Sequence, residues 1–330
     1  STCPEDHQQR WLMLENNGND CFLNAALQYM KRARDLRNAL EKRKPNIYLT
    51  VEQHRKETVL RSLAEILSTD GTVNPRIFRN SLPTVIKGLE PAFLNTQQDA
   101  YEILTKIFDD VIPEDIAKQF MIKSSRRRRC RDNVDCEGSE KNDSGAIHYH
   151  HISSKNQLIN LESLLSNEWV TVEGDTEPRH CSSCCECCRA AEEGHDEDKC
   201  ETCKGDKRPY VEEQRFRFKG TSDYALIAFN ILHAEERVDW ALEKKCDMDN
   251  MKLMGQQWKA VAVIKHIGQA VIASGHYVAY TREEDGRWWL HDDDEIPRSI
   301  GKKYRVRSGY SYPMGTTDMQ GVLAILFQKI

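Results

Sequence analysis

Cys21 stands between a polar loop, NNGND, and the first run of helix-forming residues. The sequence therefore places this cysteine at or near the N-terminus of a helix, where exposed amides and the helix dipole favour a thiolate over a thiol. A thiolate is the attacking species when cysteine acts as a nucleophile. Asn16 and Asn19 lie close enough in the sequence to donate hydrogen bonds to a developing oxyanion. The alternative is a buried structural cysteine beside a helix cap.

A histidine and an acidic run flank a predicted hairpin far along the chain. His276 begins one strand of this hairpin, and Asp292 opens the acidic run that follows WWLH. A tight turn at Asp285-Gly286 closes the hairpin and brings its two ends together. The carboxylate can then orient the imidazole, which can pair with a thiolate and protonate a leaving amine. Alone, each motif fits a core histidine or a solvated acidic loop; together with Cys21 they indicate a nucleophilic site.

Two Cys-x-x-Cys pairs lie in a polar, cysteine-rich segment. Cys181 and Cys184 form the first pair, Cys200 and Cys203 form the second, and fifteen residues separate the pairs. This spacing is typical of a tetrahedral zinc site, and four thiolates leave no open position for water. We therefore expect structural zinc, with a disordered acidic loop as the alternative. Surplus candidate ligands in the segment are Cys185, Cys187, Cys188, His180 and His195.

Charge nearly balances, with 47 basic and 52 acidic residues and a net charge of −5 over 330 residues. This balance argues against a surface built to bind nucleic acid or membranes. No apolar run approaches the roughly 18 residues of a membrane span, and Ser1–Arg10 lacks a signal-peptide core. We expect an intracellular protein, cytoplasmic or nuclear, in a reducing compartment. Arg126–Arg129 is interpreted as a solvated loop rather than a nucleic-acid patch, since acidic residues follow and no aromatic residues interleave.

The elements that position these residues are helices first and strands last. Helices are predicted where apolar residues recur at helical spacing: Phe22 to about Leu40, Val51–Leu67, Gln97–Val111 and, more briefly, Leu161–Leu165. Buried strands are predicted from continuous apolar runs: Ala225–Leu232, Ala260–Ile267 and Val322–Leu326, besides a short strand in IHYHHISS. Residues 122–146 are too polar to form a core of their own. The pattern indicates an α+β fold with a polar insertion.

Three segments resemble the signature boxes of the ubiquitin-specific proteases, a family of cysteine deubiquitinases. They are NNGNDCFLNAALQ, QQDAYEIL, and GHYVAY with WWLHDDDEI, in the family's order. The resemblance extends from Leu14 to Phe327 and implies a papain-like cysteine protease fold of this type. It implies one catalytic domain over residues 1–330, with a helical thumb (about 1–115), a zinc-bearing fingers insertion (116–220) and an antiparallel-sheet palm (221–330).

The resemblance also implies an activity and the residues that carry it. Ubiquitin and ubiquitinated proteins become the expected partners, and the expected reaction hydrolyses the isopeptide bond at the C-terminal glycine of ubiquitin. Cys21 matches the nucleophile, His276 the general base and acid, Asp292 the third triad member, and Asn16 the residue that stabilises the oxyanion. No catalytic cofactor is expected.

Substrate-binding positions follow from the same resemblance. Asp99 and Glu102 match acidic residues that grip the basic tail of ubiquitin, with a solvated helix face as the alternative. Gly275 and Tyr277 flank the catalytic histidine in the third box. His266 matches a histidine that often precedes this box, and we assign it to packing.

Three departures from the family pattern are expected to have consequences. Asp20 stands where the family usually has threonine, and a carboxylate beside the nucleophile opposes thiolate formation, so activity weakens unless Asp20 points to solvent. His291 replaces a usual aromatic residue, and the strand AFNILH lacks a common arginine–phenylalanine pair. The family also draws its zinc ligands from two separated segments, so Cys130 and Cys136 could join Cys181 and Cys184; the spacing favours the local four.

Other functions remain as alternatives. A catalytically weak or silent ubiquitin-binding scaffold would keep the fold without turnover. An acyl transferase would use the same three side chains with an amine in place of water. A zinc-dependent nucleic-acid binder would not depend on Cys21 and would show salt-dependent binding.

Overall fold

The computed structural model describes residues 12–44, 50–89, 93, 96–131, 138–152, 157–172, 179–180, 207–208, 210–233, 236–243, 247–268, 275–293, 305–308 and 319–330. Within these ranges, helices concentrate in the first third of the chain. The α-helices are α1 (Cys21–Arg32), α2 (Arg34–Lys42), α3 (Val51–Ser68), α4 (Arg76–Ser81), α5 (Ala100–Lys106), α6 (Glu114–Ala117) and α7 (Leu161–Leu164). In the described residues, no helix has both the length and the apolar composition to cross a bilayer.

Strands make up most of the remaining structure. They are β1 (Leu12–Leu14), β2 (Gly71–Val73), β3 (Ile122–Cys130), β4 (Ser139–Gly145), β5 (Ile147–His151), β6 (Gln157–Ile159), β7 (Val170–Val172), β8 (Arg179–His180), β9 (Lys207–Arg208), β10 (Tyr210–Phe218), β11 (Tyr224–Asn230), β12 (Leu232–His233), β13 (Glu236–Arg237), β14 (Trp240–Leu242), β15 (Met251–Leu253), β16 (Gln256–Ile267), β17 (His276–Arg282), β18 (Trp288–Asp292), β19 (Arg305–Ser308) and β20 (Val322–Lys329).

The predicted helices are confirmed in position and corrected in detail. The helix expected from Phe22 to Leu40 is two helices, because the backbone leaves the helical conformation at Ala33, where ψ is 83°. The helix expected from Gln97 begins at Ala100 instead, because the Asp99 carboxylate caps it by accepting a hydrogen bond from the Tyr101 amide. A side-chain cap ends the extended chain at that point and starts the helix there.

The largest sheet has the strand order β19-β18-β17-β16-β20-β11-β5, with β15 added beside β16. Its neighbours are antiparallel except for β5 and β11, which run parallel. β11 and β20 are buried along most of their length, as their continuous apolar runs predict. The predicted α+β architecture, with an antiparallel sheet late in the chain, is confirmed.

Helix α1 packs on this sheet and is covered on its other sides. It contacts β16, β17 and β18 as well as α2, α3 and α5. Every residue from Cys21 to Met30 is buried, which explains why small and apolar side chains occur on all faces of the helix. The buried Gln28 side chain donates to the Leu12 carbonyl at 2.8 Å and ties β1 to α1. Among the strands, α1 makes its most extensive contacts with β17.

A second sheet, of order β4-β3-β10-β7, corrects the prediction for the basic run. Arg126–Arg129 lies in β3 and not in a solvated loop, because β3 pairs along its whole length with β10. Glu213 accepts hydrogen bonds from Arg127 at 2.6 Å and from Arg129 at 3.1 Å, and Glu212 pairs with Arg128. Cross-strand charge pairs stabilise a polar ladder that has little apolar core.

Candidate active site

The loop before α1 has a backbone shape that brings Cys21 to the first helical position. Gly18 (φ 96°) and Asn19 (φ 58°) adopt left-handed conformations, which glycine and asparagine tolerate best. The Asn16 side-chain oxygen accepts hydrogen bonds from the backbone amides of Gly18 at 2.9 Å and Asp20 at 3.4 Å. Cys21 begins α1 and is 4% exposed. The predicted helix-terminal position of this cysteine is confirmed.

His276 lies at the first position of β17, beside the start of α1. Its Nε2 atom hydrogen-bonds Oδ1 of Asp292 at 2.8 Å, because β17 and β18 form the predicted hairpin. The imidazole also hydrogen-bonds Cys21. Burial alone would lower the pKa of His276, but the hydrogen bonds to Asp292 and Cys21 and the charges of Cys21 and Asp293 raise it to about 10.

Cys21, His276 and Asp292 therefore meet in space, although 16 residues separate the last two and about 250 separate them from the first. An imidazolium at neutral pH stabilises a neighbouring thiolate, and a carboxylate that is hydrogen-bonded to the ring keeps the ring in orientation. The arrangement supports attack by sulfur on a carbonyl carbon and proton delivery to a leaving group.

Sequence reasoning missed two side chains in this cluster. Oδ1 of Asp293 lies 3.6 Å from Nε2 of His276, and Asn24 donates to the other Asp293 oxygen. Burial raises the pKa of Asp293 to about 6, although the Asn24 hydrogen bond and the His276 charge lower it. Asn24 lies one turn after Cys21 on the same helix face, which is a signal that a reading of α1 could have used.

The ligand atoms of His276, Asp292 and Asp293 all lie within 4.8 Å of one another. Three such atoms this close together could hold a metal ion. Their hydrogen bonds to Cys21 and Asn24 give these side chains protein partners, and we assign the cluster to nucleophilic chemistry.

Comparison with known families decides the class of this site. A family model described as ubiquitin carboxyl-terminal hydrolase matches residues 13–313. The chain belongs to this family. The protein is therefore a thiol-dependent ubiquitin hydrolase, a cysteine peptidase, and its α+β architecture is that of a papain-like cysteine protease. A search of curated proteins found no match.

Asp20, the departure beside the nucleophile, does not point to solvent in this ubiquitin hydrolase. Its side chain and that of Arg79 are each 2% exposed, and the two form an ion pair. A solvent-facing Asp20, the condition under which activity would not weaken, is therefore not met, and a buried arginine pairs with the carboxylate instead. The second departure, His291, is buried and contacts Oγ1 of Thr281 at 2.7 Å. Burial, followed by the charge of Lys31, lowers the pKa of His291 to about 3, so it is neutral.

Two of the predicted substrate-binding residues of the hydrolase lie on α5 or at its cap. Asp99 is half-buried, and burial, with a smaller contribution from Glu102, raises its pKa to about 7 although the Tyr101 amide lowers it. The Glu102 side chain is 51% exposed and pairs with Lys106 at 3.3 Å. Both carboxylates can therefore reach a basic partner, and the charge of Asp99 changes near neutral pH.

The other two predicted residues of the hydrolase flank His276 and differ in accessibility. Tyr277 is 1% exposed, and its ring packs against that of His266 with centroids 4.7 Å apart. Burial, then the charges of Asp99 and Cys21, raises the pKa of Tyr277 far above its usual range. Tyr277 thus packs in the interior near α1 and α5. Its buried side chain does not offer a surface to substrate. His266 is fully buried and packs as predicted.

Gly275 occupies a position that a larger residue cannot enter. Its φ is +105°, and a methyl group there would lie 2.6 Å from Nε2 of His266 and 2.8 Å from the Ile267 carbonyl oxygen. Such approaches require backbone or core movement. The position directly before His276 therefore requires glycine, and the role of Gly275 in substrate binding stays a prediction.

The predicted zinc ligands Cys181, Cys184, Cys200 and Cys203 lie outside the described residues, as does Cys136. Cys130 is described and buried, at the end of β3.

Proposed function

We propose that this hydrolase cleaves the isopeptide bond between the C-terminal glycine of ubiquitin and a lysine amine of a conjugated protein. The observation that carries the proposal is the convergence of Cys21, His276 and Asp292 at the N-terminus of α1. Family membership supplies ubiquitin as the substrate class. We assign the catalytic roles to these three side chains on their hydrogen bonds and burial.

In the proposed mechanism, the Cys21 thiolate attacks the carbonyl carbon of the terminal glycine. The resulting oxyanion receives hydrogen bonds from the Asn16 amide and from backbone amides at the start of α1. The Asn16 side-chain oxygen already accepts hydrogen bonds from the Gly18 and Asp20 amides that follow it, so its side-chain nitrogen is the atom that can donate. The His276 imidazolium then protonates the departing lysine amine, and the C–N bond breaks to leave a thioester.

Hydrolysis of the thioester completes the reaction. Neutral His276 takes a proton from water, whose oxygen attacks the thioester carbonyl. The C–S bond breaks, the ubiquitin carboxylate leaves, and the thiolate–imidazolium pair is restored. Asp292 keeps the ring in orientation and stabilises its positive charge through the 2.8 Å hydrogen bond.

Asp99 and Glu102 are proposed to bind the arginines of the ubiquitin tail through charge-assisted hydrogen bonds. Because the pKa of Asp99 is about 7, its negative charge grows as the pH rises through neutrality. We therefore expect the KM for a ubiquitin C-terminal amide to fall between about pH 6 and pH 8. Asp99→Asn is expected to raise KM about tenfold at pH 8 and to remove this pH dependence.

Asparagine is a suitable replacement, since it also caps helices and can accept the Tyr101 amide. The matched control is Glu102→Gln, whose more exposed carboxylate already pairs with Lys106, and which should change KM about twofold. A KM for Asp99→Asn equal to that of the unmodified protein at every pH would contradict the assigned role.

Ubiquitin carrying a C-terminal electrophile tests the proposed function. We expect a covalent one-to-one adduct, which mass spectrometry locates on the tryptic peptide 11–31, where Cys21 is the only cysteine. Heat-denatured protein treated in the same way is the control. Binding of ubiquitin without an adduct would favour the silent scaffold, and transfer of ubiquitin to an added amine in preference to water would favour an acyl transferase.

We also propose one structural zinc ion, held by Cys181, Cys184, Cys200 and Cys203. Support comes from the antiparallel pairing of β8 with β9, which joins the two ends of the cysteine-rich segment and sets His180 opposite Lys207. Cys130, the first residue of the alternative pair, lies across from Tyr210, the first residue of β10. When bound, the ion would cross-link this segment and take no part in the reaction.

Zinc content separates these two ligand sets. After mild chelation and gel filtration, we expect about one zinc per chain in the unmodified protein and in Cys130→Ser/Cys136→Ser, and close to none in Cys200→Ser/Cys203→Ser. The reverse pattern would assign the ion to the alternative set. Equal zinc in all three proteins would contradict both.

A further inference from the structure

Arg79 is a buried cation that joins the loop before Cys21 to the chain leading into α5. Its Nη1 atom donates to the carbonyl oxygens of Asn19 at 3.0 Å and Gly18 at 3.4 Å, and to the Asp20 carboxylate. Its Nη2 atom donates to the carbonyl oxygens of Phe93 at 2.6 Å and Thr96 at 2.9 Å. One guanidinium therefore holds the nucleophile loop from one side and the segment before α5 from the other.

Aromatic rings enclose the same guanidinium. Its centre lies 5.2 Å from the ring centroid of Phe22 and 5.4 Å from that of Phe93, so water is excluded and cation–π attraction adds to the hydrogen bonds. Phe22 directly follows the nucleophile. The position of Arg79 is thus coupled to the first turn of α1 through both the backbone and a side chain.

Asp20 is used in an unusual way at this helix. Aspartate at the N-cap usually accepts a hydrogen bond from the first helical turn, but the Asp20 side chain makes no capping bond to α1. Its carboxylate instead accepts from the Asn17 amide at 2.9 Å and from Arg79. The amides at the start of α1 are consequently left for a ligand, as an oxyanion hole requires.

We infer that Arg79 is a positioning residue for the hydrolase reaction, which neutralises Asp20 beside the nucleophile and fixes the loop that carries Asn16. This inference rests on the proposed function, in which Cys21 is the nucleophile. Arg79 acts through Asp20 and the loop, without touching substrate. Without it, an uncompensated buried carboxylate would stand one residue before Cys21 and oppose the thiolate.

A buried ion pair is weak support for stability alone, because desolvation offsets much of the attraction. In the alternative interpretation, Arg79 is only a structural tie that holds the loop to α5 by hydrogen bonds. The charge of Asp20 then has no effect on Cys21. The two interpretations differ in one measurable respect. Charge compensation predicts opposite effects of removing the cation and removing the anion on Cys21 reactivity, whereas a structural tie predicts that both changes act in the same direction.

The rate of Cys21 alkylation by iodoacetamide against pH is the readout, followed on tryptic peptide 11–31. Arg79→Gln should move the midpoint up by about one pH unit, which lowers the rate near neutral pH about tenfold. Asp20→Asn should move the midpoint down, and Asp20→Asn/Arg79→Gln should return it close to that of the unmodified protein. Arg76→Gln, on the exposed side of α4, is the matched control and should not shift it.

Shifts of both single variants in one direction, or no shift in either, would overturn the inference. If Arg79→Gln does not fold, Asp20→Asn and the double variant still decide, since a downward shift in the first and its reversal in the second are required. Hydrolysis of a ubiquitin C-terminal amide by the unmodified protein is measured in parallel. Absent hydrolysis with the expected shifts would refute the proposed function alone, and hydrolysis without the shifts would refute only the role of Arg79.

Discussion

Replacing Cys21 with alanine is expected to lower kcat/KM for a ubiquitin C-terminal amide by at least about 10⁴-fold. The sulfur forms and breaks the only covalent bond between enzyme and substrate in the proposed mechanism, so no neighbouring group can substitute for it. Cys21→Ser keeps a hydroxyl at the same place but is a far poorer nucleophile beside His276, and should lose about 10³-fold or more. Steady-state release of a fluorophore from the ubiquitin C-terminus measures both effects.

Ubiquitin binding distinguishes loss of chemistry from loss of the fold. The Cys21 side chain is 4% exposed, so its truncation removes little contact surface, and the Kd of Cys21→Ala for ubiquitin should stay within about threefold of the unmodified value. Fluorescence anisotropy with labelled ubiquitin gives this constant. Turnover by Cys21→Ala at the rate of the unmodified protein would exclude the assigned nucleophile.

Replacing Asp292 with asparagine should reduce kcat/KM about 100-fold near neutral pH. The amide can still accept the Nε2 hydrogen bond at 2.8 Å, but it no longer stabilises the imidazolium charge. The pKa of His276, raised to about 10 when the hydrogen bonds to Asp292 and Cys21 outweigh burial, should therefore fall. Removing the ring with His276→Ala should cost more, about 10³-fold or greater.

The pH profile shows which property Asp292 supplies. A raised pKa keeps His276 protonated through neutral pH, so kcat/KM of the unmodified protein should decline only as the pH approaches about 10. In Asp292→Asn this alkaline decline should begin at least about one pH unit lower. Asp293→Asn is the matched control: its carboxylate lies farther from Nε2, at 3.6 Å, and it should lose less than about tenfold. A larger loss from Asp293→Asn would transfer the orienting role to that residue.

Local patterns were sufficient to locate the elements that carry the chemistry. Cys21 is placed at a helix start by the glycine-containing loop before it and the apolar helix after it, both short-range features. The β17–β18 hairpin follows from alternating strands around a Gly286 turn, which forces His276 and Asp292 together. Helix α3 likewise follows from apolar periodicity, and the buried strands β11 and β20 follow from continuous apolar runs. These elements can be predicted without knowing which distant residues they contact.

The zinc proposal shows a limit on what the local sequence establishes. Two Cys-x-x-Cys pairs predict zinc coordination by thiolates. Whether Cys200 and Cys203 or Cys130 and Cys136 supply the second pair of ligands depends on which segments meet in the folded protein. Within the described residues, β8 pairs with β9 at the two borders of the cysteine-rich segment, and Cys130 ends β3, which pairs with β10.

Polar and charged pairs between residues far apart in the sequence could be identified only from the folded structure. From the sequence alone, Asp20 beside the nucleophile is expected to oppose thiolate formation. The structure shows that Arg79, 59 positions away, is buried against it. Asn24 donates a hydrogen bond to Asp293 across 269 positions, and the basic run in β3 becomes a strand because β10, which carries Glu212 and Glu213, pairs with it. A charge that is costly to bury alone is tolerated once a counter-charge is buried with it, and the identity of that partner is set by packing rather than by neighbours in sequence.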